Sequence, residues 1–182
     1  AWPPGIAEPE PATRAINMTQ LGTALADTAA PVRALFVYNC NPTQTVPDQA
    51  AVLRGLARDD LFTVVHEQVM TDSCRWADVV LPATTFLEHR EVRRGYGAMR
   101  LYDSPAVAPA PGLAWSNHQL FGALLTRLGL DRAGDPRSED EVVAAIFADD
   151  RDGHLRAQLT ARQVAAPLLP TPRLFVDVMP GT

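Results

Sequence analysis

Three stretches hold the residues that could do chemistry. The first, Tyr38-Asn39-Cys40-Asn41-Pro42-Thr43-Gln44-Thr45-Val46-Pro47-Asp48, closes an apolar run at 32–38. In a doubly wound sheet a loop in this place lies where nucleotides bind, and the helix after it offers unpaired N–H groups to a phosphate. No G-x-G-x-x-G occurs, so the nicotinamide dinucleotide fingerprint is absent. Asn41-Pro42 can turn the chain sharply by another route, Asn through side-chain-to-backbone bonds and Pro through its fixed φ. An ordinary strand-to-helix turn has the same composition. The second stretch is His66-Glu67-Gln68, followed by Met70-Thr71-Asp72-Ser73. An acidic residue about twenty residues or more past the first loop is where dinucleotide folds hold a ribose hydroxyl; a solvated loop carboxylate is the plainer alternative. Met70-Thr71-Asp72-Ser73 reads as a helix start with Thr71 as a cap. The third stretch holds Arg90, Arg93, Arg94 and Arg100 around Gly95-Tyr96-Gly97. It could clamp a phosphate or stack on a ring system, or be a solvated loop paired with Glu88 and Glu91.

Other chemistries find little support. His66, His89, His118 and His154 lack metal-ligand spacing and read as surface or loop histidines. No Ser stands in a G-x-S-x-G context, and no catalytic residue is nominated. Cys40 and Cys74 cannot make a four-cysteine metal site, although one disulfide is open to them. With no cation near it in sequence, Cys40 reads as a small buried hydrophobe. All 16 positive residues are Arg, which removes Schiff-base and phosphate-loop lysines and leaves the better bidentate phosphate partner. The net charge of -5 argues against a nucleic-acid or membrane-surface binder. No apolar run approaches the ~20 residues of a membrane helix. No export signal is visible in Trp2-Pro3-Pro4-Gly5, so a cytoplasmic location is expected. The chain begins with Ala1 and reads as processed or as a piece of something larger.

The elements that must position these residues follow from patterning. The 182 residues suit one domain with a real core. Residues 1–14, with four prolines in the first eleven, read as a flexible arm. Ile16, Met18, Leu21 and Leu25 fit a helical stripe with Asn17 as N-cap. Residues 32–38 form an apolar run without alternation, which suits a strand buried on both faces of a parallel sheet. Pro47 suits the first turn of a helix over 50–58. Residues 61–65 read as a second strand, 66–71 as a loop, 72–77 as a short helix and 78–81 as a third strand. Strands and helices alternating at this spacing predict an α/β fold, a Rossmann-like parallel sheet flanked by helices. The turns at 39–42, 66–72 and 82–85 are then expected to line one crevice at the strand carboxyl ends. Further on, 88–100 is polar and 102–112, with three prolines, reads as extended loop. Capping boxes at Ser116/Gln119 and Ser138/Glu141 open two helices, the first stopped by Gly129. A weak helix is expected over 155–164 and a strand over 174–178.

Several of these segments, in this order, carry a resemblance. They are Ala15-Ile16-Asn17-Met18-Thr19-Gln20-Leu21-Gly22, then Ala34-Leu35-Phe36-Val37-Tyr38-Asn39-Cys40-Asn41-Pro42, then residues 60–72 running into Ala77-Asp78-Val79-Val80-Leu81-Pro82 and on to Glu88. Over about residues 15–130 the sequence resembles the molybdopterin oxidoreductases, molybdenum or tungsten enzymes of the dimethyl-sulfoxide reductase and formate dehydrogenase type. The resemblance implies a bis(molybdopterin guanine dinucleotide) cofactor held between two related α/β domains, this chain being the second. By that analogy Asn39, Cys40, Asn41 and Pro42 lie against the dinucleotide phosphates, Glu67 reads the guanine or ribose, and Thr71 and Asp72 sit in the turn beside it. Many relatives have Gly where Asn39 stands. Nothing corresponds to an iron–sulfur cysteine cluster, which the missing N-terminal part could carry, to a metal-ligating residue, or to a C-terminal barrel domain. The resemblance thus implies a fragment, inactive alone, whose partners are the remaining domains of the same enzyme. Residues 15–166 would be its cofactor-binding domain and 167–182 a linker and strand. A scaffold domain that kept the fold and lost the site is the alternative, and a nicotinamide or flavin enzyme is a weaker one.

Overall fold

A computed structural model describes residues 14–94, 101–147 and 164–165. They fall into two compact units, Ala1–Leu81 and Pro82–Thr182. The Tyr96 cluster, Arg100, most of the 155–164 helix and the 174–178 strand lie outside the described residues, as do 1–13 of the expected arm and all of 167–182.

The first unit is built on the sheet β1 (Ala34–Tyr38), β2 (Phe62–Glu67) and β3 (Val79–Pro82), in the order β1-β2-β3. β1 and β2 are parallel, with Ala34 opposite Phe62 and Tyr38 opposite His66. β3 runs the same way. Asp78 N–H donates to Thr63 O at 2.9 Å, and three residues on His66 meets Leu81 O. The carboxylate of Asp78 also accepts from Thr63 N–H at 2.7 Å, which pins the β2–β3 register at its start. A 3-10 turn (Met18–Gln20) capped by Asn17 leads into α1 (Leu21–Ala26); α2 (Pro42–Thr45), α3 (Gln49–Leu56) and a second 3-10 turn (Asp72–Trp76) fill the connections. α1 packs on α3 at close range, because Gly22 and Gly55 present no Cβ to each other's helix. Leu25, Val46, Val52, Leu56 and Leu61 form the larger core, and Val37, Val65 and Cys74 a smaller one between the sheet and the second 3-10 turn.

The parallel sheet is the one expected, with adjusted boundaries. β1 is less buried than its apolar run implies: it lies at the edge of the sheet, and only Val37 among its residues is fully covered. Ile16 and Met18 stay exposed, because the chain there is a 3-10 turn that does not continue the α1 stripe. Pro47 precedes the N-cap of α3; the proline in a first helical turn is Pro42. β2 extends to Glu67, so His66 is a sheet residue, 1% exposed, and not a loop histidine.

The second unit holds β4 (Glu91–Arg94), β5 (Leu101–Ser104) and β6 (Val164–Ala165), all antiparallel, with α4 (Asn117–Leu128) and α5 (Glu139–Ile146). The β4 and β5 strands replace the loops expected there, and Val164 ends in a strand where a helix was expected. Charge hid these strands from an apolar reading, since the ribbon is held by polar pairs: Arg90 forks onto Asp103 through Nε (2.9 Å) and Nη2 (2.6 Å) and also meets Asp140. Ser116 and Gln119 make the reciprocal capping box, and Gly129 takes the left-handed C-cap. At Ser138 only half of the box forms, because the Glu141 carboxylate accepts from Arg137 N–H.

Candidate functional site

The two turns at the carboxyl ends of β1 and β2 lie side by side in the first unit. Leaving β1, Asn39 adopts the left-handed conformation (φ 52°). Asn tolerates this region better than other residues with a Cβ, so it does here what Gly does at such a turn. The amide N–H groups of Cys40 and Asn41 make no hydrogen bond among the described residues. The carbonyl of Asn41 accepts from Gln44 N–H and Thr45 N–H, both at 3.0 Å, and from Thr45 Oγ1 at 2.9 Å.

The first helical turn after β1 is α2, which lies inside the stretch that reads from sequence as loop. Pro42 has no N–H, Thr43 N–H donates to Ser73 Oγ at 3.3 Å, and the next two amides are bound to Asn41 O. Among the described residues, α2 therefore has its N-terminal amides already bonded within the protein. Among the described residues, amides without a hydrogen bond occur one step earlier, at Cys40 and Asn41.

A polar knot, buried at Thr43 and Ser73, joins this turn to the one after β2. Asn41 Oδ1 accepts from Ser73 Oγ at 2.6 Å and from Thr43 Oγ1 at 3.0 Å, and Gln44 Nε2 donates to Asp72 Oδ2 at 2.7 Å. Ser73 and Thr43 are both buried. Glu67, the last residue of β2, accepts from Gln68 N–H through Oε1 at 2.8 Å. Thr71 occupies the N-cap position but makes no cap bond; its hydroxyl lies 3.4 Å from Cys74 Sγ. Val69 (67%) and Met70 (74%) are among the most exposed apolar residues.

The structure thus brings Asn39, Cys40, Asn41 and Pro42 alongside Thr71 and Asp72, with Glu67 at the base of the second turn. The 82–85 turn opens the second unit, where Thr84 N–H donates to Trp115 O and Thr84 Oγ1 meets His89 Nδ1 at 2.9 Å. Two of the arginines are neutralised, Arg90 by Asp103 and Asp140 and Arg93 by Glu91, with the Arg93 guanidinium 4.7 Å from the Phe86 ring centre. Arg90 holds the Asp103 carboxyl below the usual range. Cys40 and Cys74 are both free thiols. Burial pushes the His66 imidazole down, against the opposing pull of the Leu81 carbonyl at 3.2 Å and the Glu67 charge. The other ring nitrogen, Nε2, is buried without a partner among the described residues.

Ser73, Thr43 and Gln44 are the residues that motif reading missed. Their partners lie 28 to 32 positions away, so no local pattern marks them. Among the described residues no three His, Cys, Asp or Glu side chains gather to hold a metal ion, and no helix is long and apolar enough to cross a membrane.

Comparison with known proteins agrees with this architecture. A family model described as molybdopterin oxidoreductase matches residues 12–127. Probable oxidoreductase YoaE of Bacillus subtilis is 34% identical over 146 residues, covering 80% of this chain and 21% of YoaE. Acetylene hydratase of Syntrophotalea acetylenica is 32% identical over 117 residues, 63% of this chain and 16% of that protein. The solved structure of acetylene hydratase from Pelobacter acetylenicus superposes with a TM-score of 0.70 at 26% identity, over 85% of this chain and 21% of that one. The chain therefore spans about a fifth of the length of these relatives.

Proposed function

This chain belongs to the molybdopterin oxidoreductase family, and on that premise we propose that it is one cofactor-binding module of a longer enzyme, cradling the guanine dinucleotide part of a bis(molybdopterin guanine dinucleotide) cofactor of molybdenum or tungsten. When bound, the cofactor supplies the oxidoreduction; this chain binds and orients it. The proposed module covers residues 15–166, with 1–14 as an arm and 167–182 leading towards further domains, which are its partners. An iron–sulfur cluster would belong to those other parts. The free Cys40 and Cys74 thiols fit a reducing, cytoplasmic compartment.

One observation carries the proposal: two adjacent strand-end turns, tied through Asn41–Ser73 and Gln44–Asp72, leave the Cys40 and Asn41 amides without partners among the described residues. Backbone N–H groups at the carboxyl end of a parallel strand suit a phosphate. A carboxylate only accepts hydrogen bonds, so Glu67 suits the N–H donors of guanine or the hydroxyls of ribose. Asp72 carries a charge that opposes a phosphate, and its bond to Gln44 gives it a positioning role instead. The relatives fit a module that holds a cofactor and leaves the reaction to other parts, since one is named an oxidoreductase and another a hydratase.

The test is guanine nucleotide content. In the full-length polypeptide carrying this chain, Glu67→Gln and Asn41→Ala should each lower the nucleotide released on acid denaturation at least threefold. Full retention in both variants would refute the cradle and leave a scaffold domain.

A further inference from the structure

Resting on the cradle proposed above, we infer that Ser73 is a positioning residue: its buried hydroxyl fixes the Asn39–Asn41 turn against the turn after β2 and so sets where the Cys40 and Asn41 amides face the nucleotide. Ser73 is 2% exposed and sits between the two turns. Its Oγ lies 2.6 Å from Asn41 Oδ1, 3.1 Å from Thr43 Oγ1 and 3.3 Å from Thr43 N.

Proton counting makes the arrangement specific. A serine hydroxyl has one proton to donate and two lone pairs. Asn41 Oδ1 is an acceptor, so the Ser73 proton goes to it, and the Thr43 hydroxyl proton goes to the same oxygen at 3.0 Å. The Thr43 amide then donates to a Ser73 lone pair. The two hydroxyl protons and the Thr43 amide proton are thereby assigned. Removing the Ser73 hydroxyl orphans the Thr43 N–H and takes one of two donors from Asn41, in a site with little access to water. Gln44–Asp72 remains as a second tie, but that pair is exposed and weaker for it.

The experiment uses the full-length polypeptide as isolated with its cofactor, comparing wild type, Ser73→Ala and Ser73→Thr. Amide hydrogen exchange over residues 43–46 reports the tie, and guanine nucleotide released per mole of protein reports the cradle. Ser73→Ala should speed exchange about tenfold, as expected for loss of a buried donor–acceptor pair, and lower nucleotide content at least threefold. Ser73→Thr keeps the hydroxyl and should restore both. If Ser73→Thr fails to fold, Thr43→Val is the second variant: it removes one donor to Asn41 and should reproduce part of both effects. Unchanged exchange in Ser73→Ala, or faster exchange with full nucleotide content, would overturn the positioning role and leave the cradle standing. Wild-type protein without guanine nucleotide would overturn both.

Discussion

Replacing Gly55 by Ala should weaken the α1–α3 contact although the same change usually strengthens a helix. A Cβ on Gly55 would lie 2.5 Å from Leu25 Cβ, 2.7 Å from its Cδ1 and 3.1 Å from its Cγ. Ordinary carbon contacts are roughly 3.5–4.0 Å. The nearest atom is Leu25 Cβ, which is fixed to the backbone, so no rotamer change relieves the clash and the two helices must part by about 1 Å. Leu25 is fully buried in the larger core. Overpacking of this kind costs about 1–3 kcal/mol, and the upper end applies here because backbone must move. Helix propensity returns about 1 kcal/mol. The net expectation is destabilisation of about 2 kcal/mol, or roughly 30-fold faster native-state exchange of α3 amides. Gly122 in α4 is the internal control: nothing lies within 4 Å of its added Cβ. Gly122→Ala should slow α4 exchange by up to about fivefold, through propensity alone. Slower α3 exchange in Gly55→Ala would refute the close-packing account.

Other consequences are equally open to measurement. Asn39→Val should destabilise the β1 turn by about 1–2 kcal/mol, since a β-branched residue resists the left-handed conformation, while Asn39→Gly should be tolerated; chemical denaturation of the two variants checks the contrast. The His66 imidazole is held below its unfolded value of 6.5, so the folded protein binds its proton less readily than the unfolded chain. Its stabilising contribution is full above pH ~6.5 and is lost as pH falls through the folded value; His66→Gln should flatten that part of the stability–pH curve. Arg90→Met should cost about 1.5–3 kcal/mol by leaving the partly buried Asp103 carboxylate without its forked partner, seen as faster exchange in β4 and β5. Asp103 is held below its unfolded value, so this pair's contribution is present above pH ~3.8 and fades as pH drops through the folded value.

Local signals were legible and distant ones were not. The apolar residues of β1 and β2 announced a parallel sheet because they need cover, and the Ser116/Gln119 box announced α4 because both partners lie within one turn. β4 and β5 stayed hidden because Arg90, Glu91, Arg93 and Asp103 are polar and their pairing is between strands. Placing His66 in a loop followed from its polarity, yet the ladder to β3 draws it inside. The site divides likewise. The Asn41-Pro42 turn and the acid after β2 could be picked out by residue type. That Asn41 Oδ1 faces Ser73 Oγ, 32 positions on, is a product of the crossover that places β2 beside β1. The short helix α2 inside the 39–47 loop was not legible, and its amides are used up among the described residues, since Pro42 has none and Ser73 and Asn41 O take the rest.

The most direct test is an experimental structure of the full-length polypeptide with its cofactor bound. The account predicts a phosphate oxygen of the nucleotide within about 3 Å of the Cys40 and Asn41 amide nitrogens, with Glu67 facing the guanine or ribose. A nucleotide whose phosphates and base are all remote from the 39–41 and 67–73 turns would contradict it.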